Sequence, residues 1–327
     1  MKIDQMIETR LTRLFEIEYP ILSAPMAFAA GGSLASAVTR AGGLGFIGGA
    51  YGDAEWVENE FSAAGNNRVG CGFITWNLTQ ALGIKPKLLE KVLERKPAAL
   101  FLSFGDPSTY AEQILANGTK LICQVQTLND AKHAINCGAH VIVAQGAEAG
   151  GHGQRRATMT LVPETADHIS KYAPETVLCA AGGIADGRGL AASLMLGADG
   201  VVIGSRLWAS REALVHPNMH RAAIAATGDD TVRSSVMDIA RKLKWPQRYT
   251  ARVLQNAFTK RWHNDINGLL NVTEREATLW KEAWDKGDMD RANTFVGEAT
   301  GLIKEVLPAG EILRDIVRQA QERLRAY

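Results

Sequence analysis

Eight short apolar runs recur along the first two thirds of the chain, and helical stretches separate them. The runs are Pro20–Met26, Leu44–Gly49, Val69–Ile74, Ala98–Gly105, Lys120–Gln126, His140–Gly146, Thr176–Gly183 and Gly200–Ser205. Between them lie Ser33–Ala41, Ala54–Ala64, Pro86–Arg95, Tyr110–Ala116, Asn129–Cys137, Pro163–Tyr172 and Gly187–Leu196. Gly42, Gly65, Gly118, Gly138 and Gly197 follow these stretches, where helix C-termini favour glycine. The apolar runs lack polar alternation, as strands covered on both faces do. Such an order predicts an α/β fold with a parallel sheet, and eight strands suggest closure into a (β/α)8 TIM barrel. An open doubly wound sheet would place one glycine-rich phosphate loop after the first strand. This chain has Ser23-Ala24-Pro25-Met26 there, and its glycines cluster after several strands: Gly48-Gly49, Gly150-Gly151, Gly182-Gly183 and Gly204. That distribution suits an active face assembled from many strand ends.

After about Gly228 the pattern changes. Helices are expected over Thr231–Leu243, Tyr249–Trp262, Glu274–Lys286 and Ala309–Arg325, with no convincing strand. Four of the seven tryptophans lie here: Trp245, Trp262, Trp280 and Trp284. The expected organisation is a barrel over 1–227 and an added C-terminal helical segment over 228–327, packing its aromatics on the barrel. Gly297–Ile303 is expected to be a turn approaching the active face.

Charge narrows the function classes. Lys+Arg number 36 and Asp+Glu 35, so nothing in the balance calls for a nucleic acid or an anionic membrane. The acidic N-terminal stretch does not match a signal peptide, and no apolar run approaches the ~20 residues of a membrane span. Cys71, Cys123, Cys137 and Cys179 show no metal-ligand or redox spacing and read as reduced thiols of a cytoplasmic protein. No histidine–carboxylate spacing calls for a metal. His133 and His168 read as surface residues, and His216, His220 and His263 as ordinary ones. Oligomeric state is open; a homodimer is compatible, with the C-terminus either lid or dimer surface.

The sharpest candidate for chemistry is His152 in Glu148-Ala149-Gly150-Gly151-His152-Gly153, just past the sixth run. Strand starts are 20 to 29 residues apart except His140 and Thr176, which are 36 apart, and the extra length holds this loop. Barrels place function in such insertions. Glycines let a ligand approach the main chain, and an imidazole moves protons near neutral pH. The seventh and eighth runs end in Ala181-Gly182-Gly183 and Gly204-Ser205, where barrels commonly hold a phosphate. Ala24-Pro25-Met26 could offer a soft apolar surface to a flat ring, though ordinary core is the better unaided reading of Met26. The amides of Asn77, Gln124 and Gln145 could hydrogen-bond ring heteroatoms; helix capping is the alternative for Asn77 and solvated strand ends for the glutamines.

Taken together, Ser23-Ala24-Pro25-Met26, Gly42-Gly43-Leu44-Gly45-Phe46-Ile47-Gly48, Glu148-Ala149-Gly150-Gly151-His152, Ala180-Ala181-Gly182-Gly183-Ile184 and Gly204-Ser205-Arg206 resemble the nitronate monooxygenases, formerly 2-nitropropane dioxygenases. The likeness spans roughly residues 10–215, and Gly297–Pro308 resembles the family's C-terminal turn. The resemblance implies a TIM barrel with non-covalent FMN. Its phosphate would lie at Gly182-Gly183 and Gly204-Ser205. Its ring would lie against Ala24-Pro25-Met26, with Asn77, Gln124 and Gln145 at the polar edge and Gly150, Gly151 and Ala181 in the cofactor site. Gln124 departs from the lysine expected in many relatives, and Trp76 is an unusual neighbour for Asn77. The implied reaction oxidises a nitronate with O2 to a carbonyl compound and nitrite, with His152 as base on neutral nitroalkanes. The scaffold also resembles NAD(P)H-dependent enoyl-acyl-carrier-protein and quinone reductases. A non-catalytic FMN- or phospholigand-binding barrel would leave His152 idle.

Overall fold

The computed structural model describes residues 7–78 and 88–326. The first residues of the expected Pro86–Arg95 helix lie outside that range; its described part is Leu88–Glu94. Eight parallel strands form the central sheet: β1 (Ile21–Ser23), β2 (Phe46–Gly48), β3 (Gly70–Ile74), β4 (Ala99–Ser103), β5 (Lys120–Val125), β6 (Val141–Gln145), β8 (Val177–Ala181) and β9 (Gly200–Ile203). A short strand β7 (Gly151–Gly153) stands outside this sheet. The order is β1-β9-β8-β6-β5-β4-β3-β2. A parallel bridge from Leu22 to Leu44 joins the two ends, with Ser23 N donating to the Leu44 carbonyl at 3.0 Å. The sheet is therefore a closed barrel, as expected.

The continuous apolar character of the runs has a direct cause. Along β6, Val141 and Val143 belong to a core inside the barrel with Phe46, Phe101, Ile122 and Cys179. Ile142 and Ala144, the intervening residues, pack outward under the helices with Leu100, Leu102 and Leu178. Both faces are dry, so neither can be polar. The helix Arg10–Phe15 closes the N-terminal end of the barrel with Leu11 and Phe15, both fully buried in the inner core. All five glycines expected to end helices have left-handed φ, from 63° at Gly65 to 99° at Gly42.

The C-terminal third differs from expectation in two respects. First, it contains strands: β10 (Thr231–Ser234) and β11 (Thr250–Leu254) pair antiparallel, in segments read from sequence as helix. Ala251 and Val253 are buried while Thr250 and Arg252 are half-buried, an alternation that a helical reading overlooked. Pro246 also disfavours helical backbone at Trp245, which separates β11 from the helix Val236–Ala240. Second, its helices pack in more than one core. Helix Ala309–Arg325 sends Ile312, Leu313, Ile316 and Val317 into the barrel's outer core, completing the helical layer after β9. Between β9 and this helix, Val236, Met237, Val253, Phe258, Trp262 and Trp280 form a separate core within the added layer. Helix Thr273–Lys286 and the turn Glu298–Leu302 lie where helix and turn were expected.

No helix among the described residues is long and apolar enough to cross a membrane. Cys71, Cys123 and Cys179 are buried free thiols and Cys137 is half-buried; burial pushes Cys71 up to about 12.

Placing the last helix in the barrel has a measurable consequence. Leu313→Ala removes a fully buried side chain and is expected to cost about 2–5 kcal/mol. In urea the loss should appear in the same cooperative transition as the barrel strands; a separate early transition would show that the helix is peripheral.

Candidate active site

The C-terminal ends of the strands and the added layer enclose a cavity of about 450 Å³. Its wall includes Ala24, Pro25 and Met26 after β1, Gly72 on β3, Gln124 on β5, Gln145 on β6, and Gly150, Gly151 and His152. Ala181 at the end of β8, Gly182 and Gly183 after it, and Gly204 and Ser205 after β9 line it too. Asn77 is not on the wall: its amide Nδ2 donates to the Tyr51 carbonyl at 2.7 Å. Every other candidate cofactor residue reaches the cavity.

Close backbone approach explains several of these residue types. Gly72 brings β3 against Pro25, and an added Cβ there would lie 2.4 Å from the proline ring. Gly150 abuts Gly297, where a Cβ would stand 2.6 Å from the Gly297 nitrogen. Glu298 N donates to the Glu148 carbonyl and Gly297 N to Ser205 Oγ, both at 2.9 Å. The C-terminal turn is therefore seated on both the histidine loop and the start of the β9 helix. The Glu148 carboxylate is engaged by Thr158, through its backbone N–H at 3.0 Å and its hydroxyl at 2.9 Å.

The histidine loop is an ordered strand. β11 pairs antiparallel with β7, setting Ala251 opposite His152 and Arg252 opposite Gly151. Two arginines from β10 and β11 hold the preceding turn: the Ala147 carbonyl accepts from Arg233 Nε at 3.3 Å and from Arg252 Nε at 3.0 Å. Arg252 also pairs with Glu298 at 2.7 Å. Burial, with Arg252 close by, lowers Arg233 to about 10.

His152 is 8% exposed, and its Nε2 lies 2.9 Å from Asp238 Oδ2. The Trp245 ring stacks on the imidazole, 3.4 Å between centroids and 6° from parallel. Phe104, Tyr51 and Tyr249 meet Trp245 edge-on, and Trp245 Nε1 donates to the Tyr51 hydroxyl at 3.3 Å. Arg241 lies over the Tyr51, Trp280 and Phe295 rings and lines the same cavity. Burial lowers the His152 pKa, Asp238 opposes that shift, and Arg241 and Arg233 add to it; the net direction is downward. The imidazole is thus neutral near pH 7 and able to accept a proton.

Also on the cavity wall, Gln145 Oε1 accepts from Gln126 Nε2 at 2.8 Å and from Gln124 Nε2 at 3.2 Å. Those two donors fix the amide orientation. Among the described residues no protein acceptor engages Gln145 Nε2, which leaves it as a donor for a ligand. Trp76 packs edge-on against Trp245 instead of lining the cavity. His216, read as ordinary, lines the cavity, and its Nδ1 accepts from Asn218 N to cap a helix. His133 is exposed and paired with Asp106.

The sequence reading missed Asp238, Trp245, Arg233, Arg252 and Arg241. Their signal was weak: four sit in segments read as plain helix, Trp245 lies between two such segments, and all are far along the chain from His152.

The lowered His152 pKa sets a direction for acid stability. Below its ordinary value of 6.5, the unfolded chain takes up a proton that the folded imidazole resists. Stability contributed by the neutral buried ring is present at pH 7 and is lost as the pH falls through that range. Urea midpoints at pH 7 and pH 5 should drop more for the wild type than for His152→Gln; an equal drop would show that His152 does not titrate in this way.

The comparisons with known proteins show the family and the fold. The nitronate monooxygenase family model matches residues 8–66 and 63–319. A nitronate monooxygenase of Neurospora crassa is 34% identical over 93% of this chain and 90% of its own length. A probable nitronate monooxygenase of Staphylococcus saprophyticus is 28% identical over 97% of this chain and 98% of its own. Among solved structures, FabK from Thermotoga maritima is 30% identical, with TM-score 0.81 over 98% of both chains. A nitroalkane oxidase from Streptomyces ansochromogenes, 23% identical with TM-score 0.80 over 97% of this chain and 99% of its own, shares the fold. On the extent of these matches, the chain is an oxidoreductase of the nitronate monooxygenase family.

Proposed function

We propose that this protein binds FMN in the cavity at the barrel mouth and oxidises alkyl nitronates with O2 to a carbonyl compound and nitrite. Neutral nitroalkanes enter the same route once His152 has removed the proton α to the nitro group. The observation that carries this reading is a buried imidazole, held by Asp238 and Trp245 on the wall of a cavity whose other walls suit a flavin.

The fit to FMN rests on the residues present. Ala24-Pro25-Met26 offers an apolar face, and Gly72 keeps the space behind it free of a side chain. The oriented Gln145 amide supplies a donor for a ring acceptor. Gly182 and Gly183, with φ of 104° and 75°, and Gly204-Ser205 line the cavity at neighbouring strand ends, suited to a phosphate. When bound, the flavin supplies an acceptor for an electron from the nitronate and passes electrons to O2. The protein's own part is positioning, exclusion of water by the Trp245 cluster, and proton transfer at His152. In its protonated form His152 would balance the charge of a nitronate.

The scaffold's resemblance to NAD(P)H-dependent enoyl-acyl-carrier-protein and quinone reductases keeps the reductase reading as a specific alternative. Anaerobic mixing with NADH or NADPH separates the two: slow or absent flavin bleaching, with nitrite release from a nitronate in air, is expected, whereas rapid bleaching favours a reductase. A colourless protein that takes up no FMN would defeat every flavin reading. His152→Asn should reduce turnover of neutral nitroalkanes on the order of 10²–10⁴-fold and largely spare preformed nitronates. Equal loss on both would remove the base assignment.

A further inference from the structure

We infer that Asp238 is a positioning residue that fixes the tautomer of His152 and makes Nδ1 the atom that takes the substrate proton. The inference rests on the base role proposed for His152. A carboxylate can only accept hydrogen bonds. With Asp238 Oδ2 at 2.9 Å from Nε2, the single proton of the neutral imidazole lies on Nε2 and the lone pair on Nδ1. Among the described residues Nδ1 has no hydrogen-bond partner, and the ring lines the cavity. Trp245 stacked on the ring and Phe104 beside it, 6.2 Å between centroids, limit its tilt.

Asp238 itself is the second observation. It is buried, and its Oδ1 has no partner among the described residues. Burying a carboxylate with so little compensation is destabilising. Among the described residues its side chain makes no cap hydrogen bond and His152 is its only hydrogen-bond partner. The charged and titratable groups facing the pair are Arg241 and Arg233, which favour neutral His152, and Tyr51, whose pKa burial raises. Against them, Asp238 supports the protonated product.

The step balances without another reactant. The α C–H bond breaks, its electron pair passes into the C=N bond of the nitronate, and a new N–H bond forms at Nδ1. The resulting imidazolium keeps its Nε2–H on Asp238, as orienting carboxylates do in other histidine-based sites.

The test is ¹⁵N NMR of the full-length protein labelled at histidine, with His152→Asn identifying the His152 signals. At pH 7 the wild type should show protonated Nε2 and unprotonated Nδ1. Asp238→Asn should lower the His152 pKa and populate the Nδ1–H form; Asp238→Glu should restore the wild-type pattern. In parallel, kcat for a neutral nitroalkane should fall on the order of 10²–10⁴-fold in Asp238→Asn, and the acid limb of kcat/KM should move to lower pH. Protonated Nδ1 in the wild type overturns the inference by itself, even if Asp238→Asn does not fold. An unchanged pKa and tautomer, or unchanged kcat, in a folded Asp238→Asn does the same. The NMR result needs no turnover, so the absence of nitroalkane oxidation would count against the proposed reaction and not against the tautomer.

Discussion

The antiparallel pairing of β11 with β7 is the contact on which the site depends. A stretch of Gly-Gly-His-Gly has little conformational preference of its own and loses much entropy on ordering. Three paired residues, Thr250 to Arg252 against Gly153 to Gly151, turn it into a strand. The same added layer supplies Asp238 to the imidazole edge, Trp245 to its face, and Arg233 and Arg252 to the carbonyl of the preceding turn. One layer therefore orders the loop, orients the ring and closes the cavity.

The balance at His152 follows from that arrangement. Burial penalises the imidazolium, and two nearby arginines penalise it further, while Asp238 supports it. Burial dominates, so the resting ring is neutral. This suits a base, which must be empty before the reaction and tolerate a proton after it. An exposed histidine on a flexible loop would sit near its ordinary pKa but would have neither a fixed tautomer nor a dry cavity.

The barrel contributes close backbone approach. At Gly72 and at the Gly150–Gly297 contact there is no room for a Cβ. These contacts let β3 meet the Pro25 wall and let the C-terminal turn sit on the histidine loop. The turn also meets Ser205, so the last quarter of the chain braces two different strand ends. The final helix then returns to the barrel's outer core, so the added layer is anchored at both ends.

The eight strands, the helices after them and the glycines that end those helices were legible in the sequence. Each depends on local pattern: apolar runs of strand length, helical periodicity, and a left-handed position at a helix end. His152 and the Gly182-Gly183 and Gly204-Ser205 loops stood out for the same reason, as they follow directly on recognisable strands. Asn77 was expected beside them, but its amide bonds the Tyr51 carbonyl, a partner no spacing reveals. β10 and β11 were misread because two short strands with mixed faces resemble amphipathic helix until they are paired. Asp238, 86 residues beyond His152, is an ordinary acidic residue in a helical stretch until folding buries it against the imidazole. Sequence alone determined the barrel and singled out His152 on its glycine loop, because both are written in local pattern. Tertiary structure alone decided that the imidazole is buried, that its Nε2 meets Asp238 and that its pKa is lowered, because these depend on burial and on groups that only folding brings within hydrogen-bonding distance.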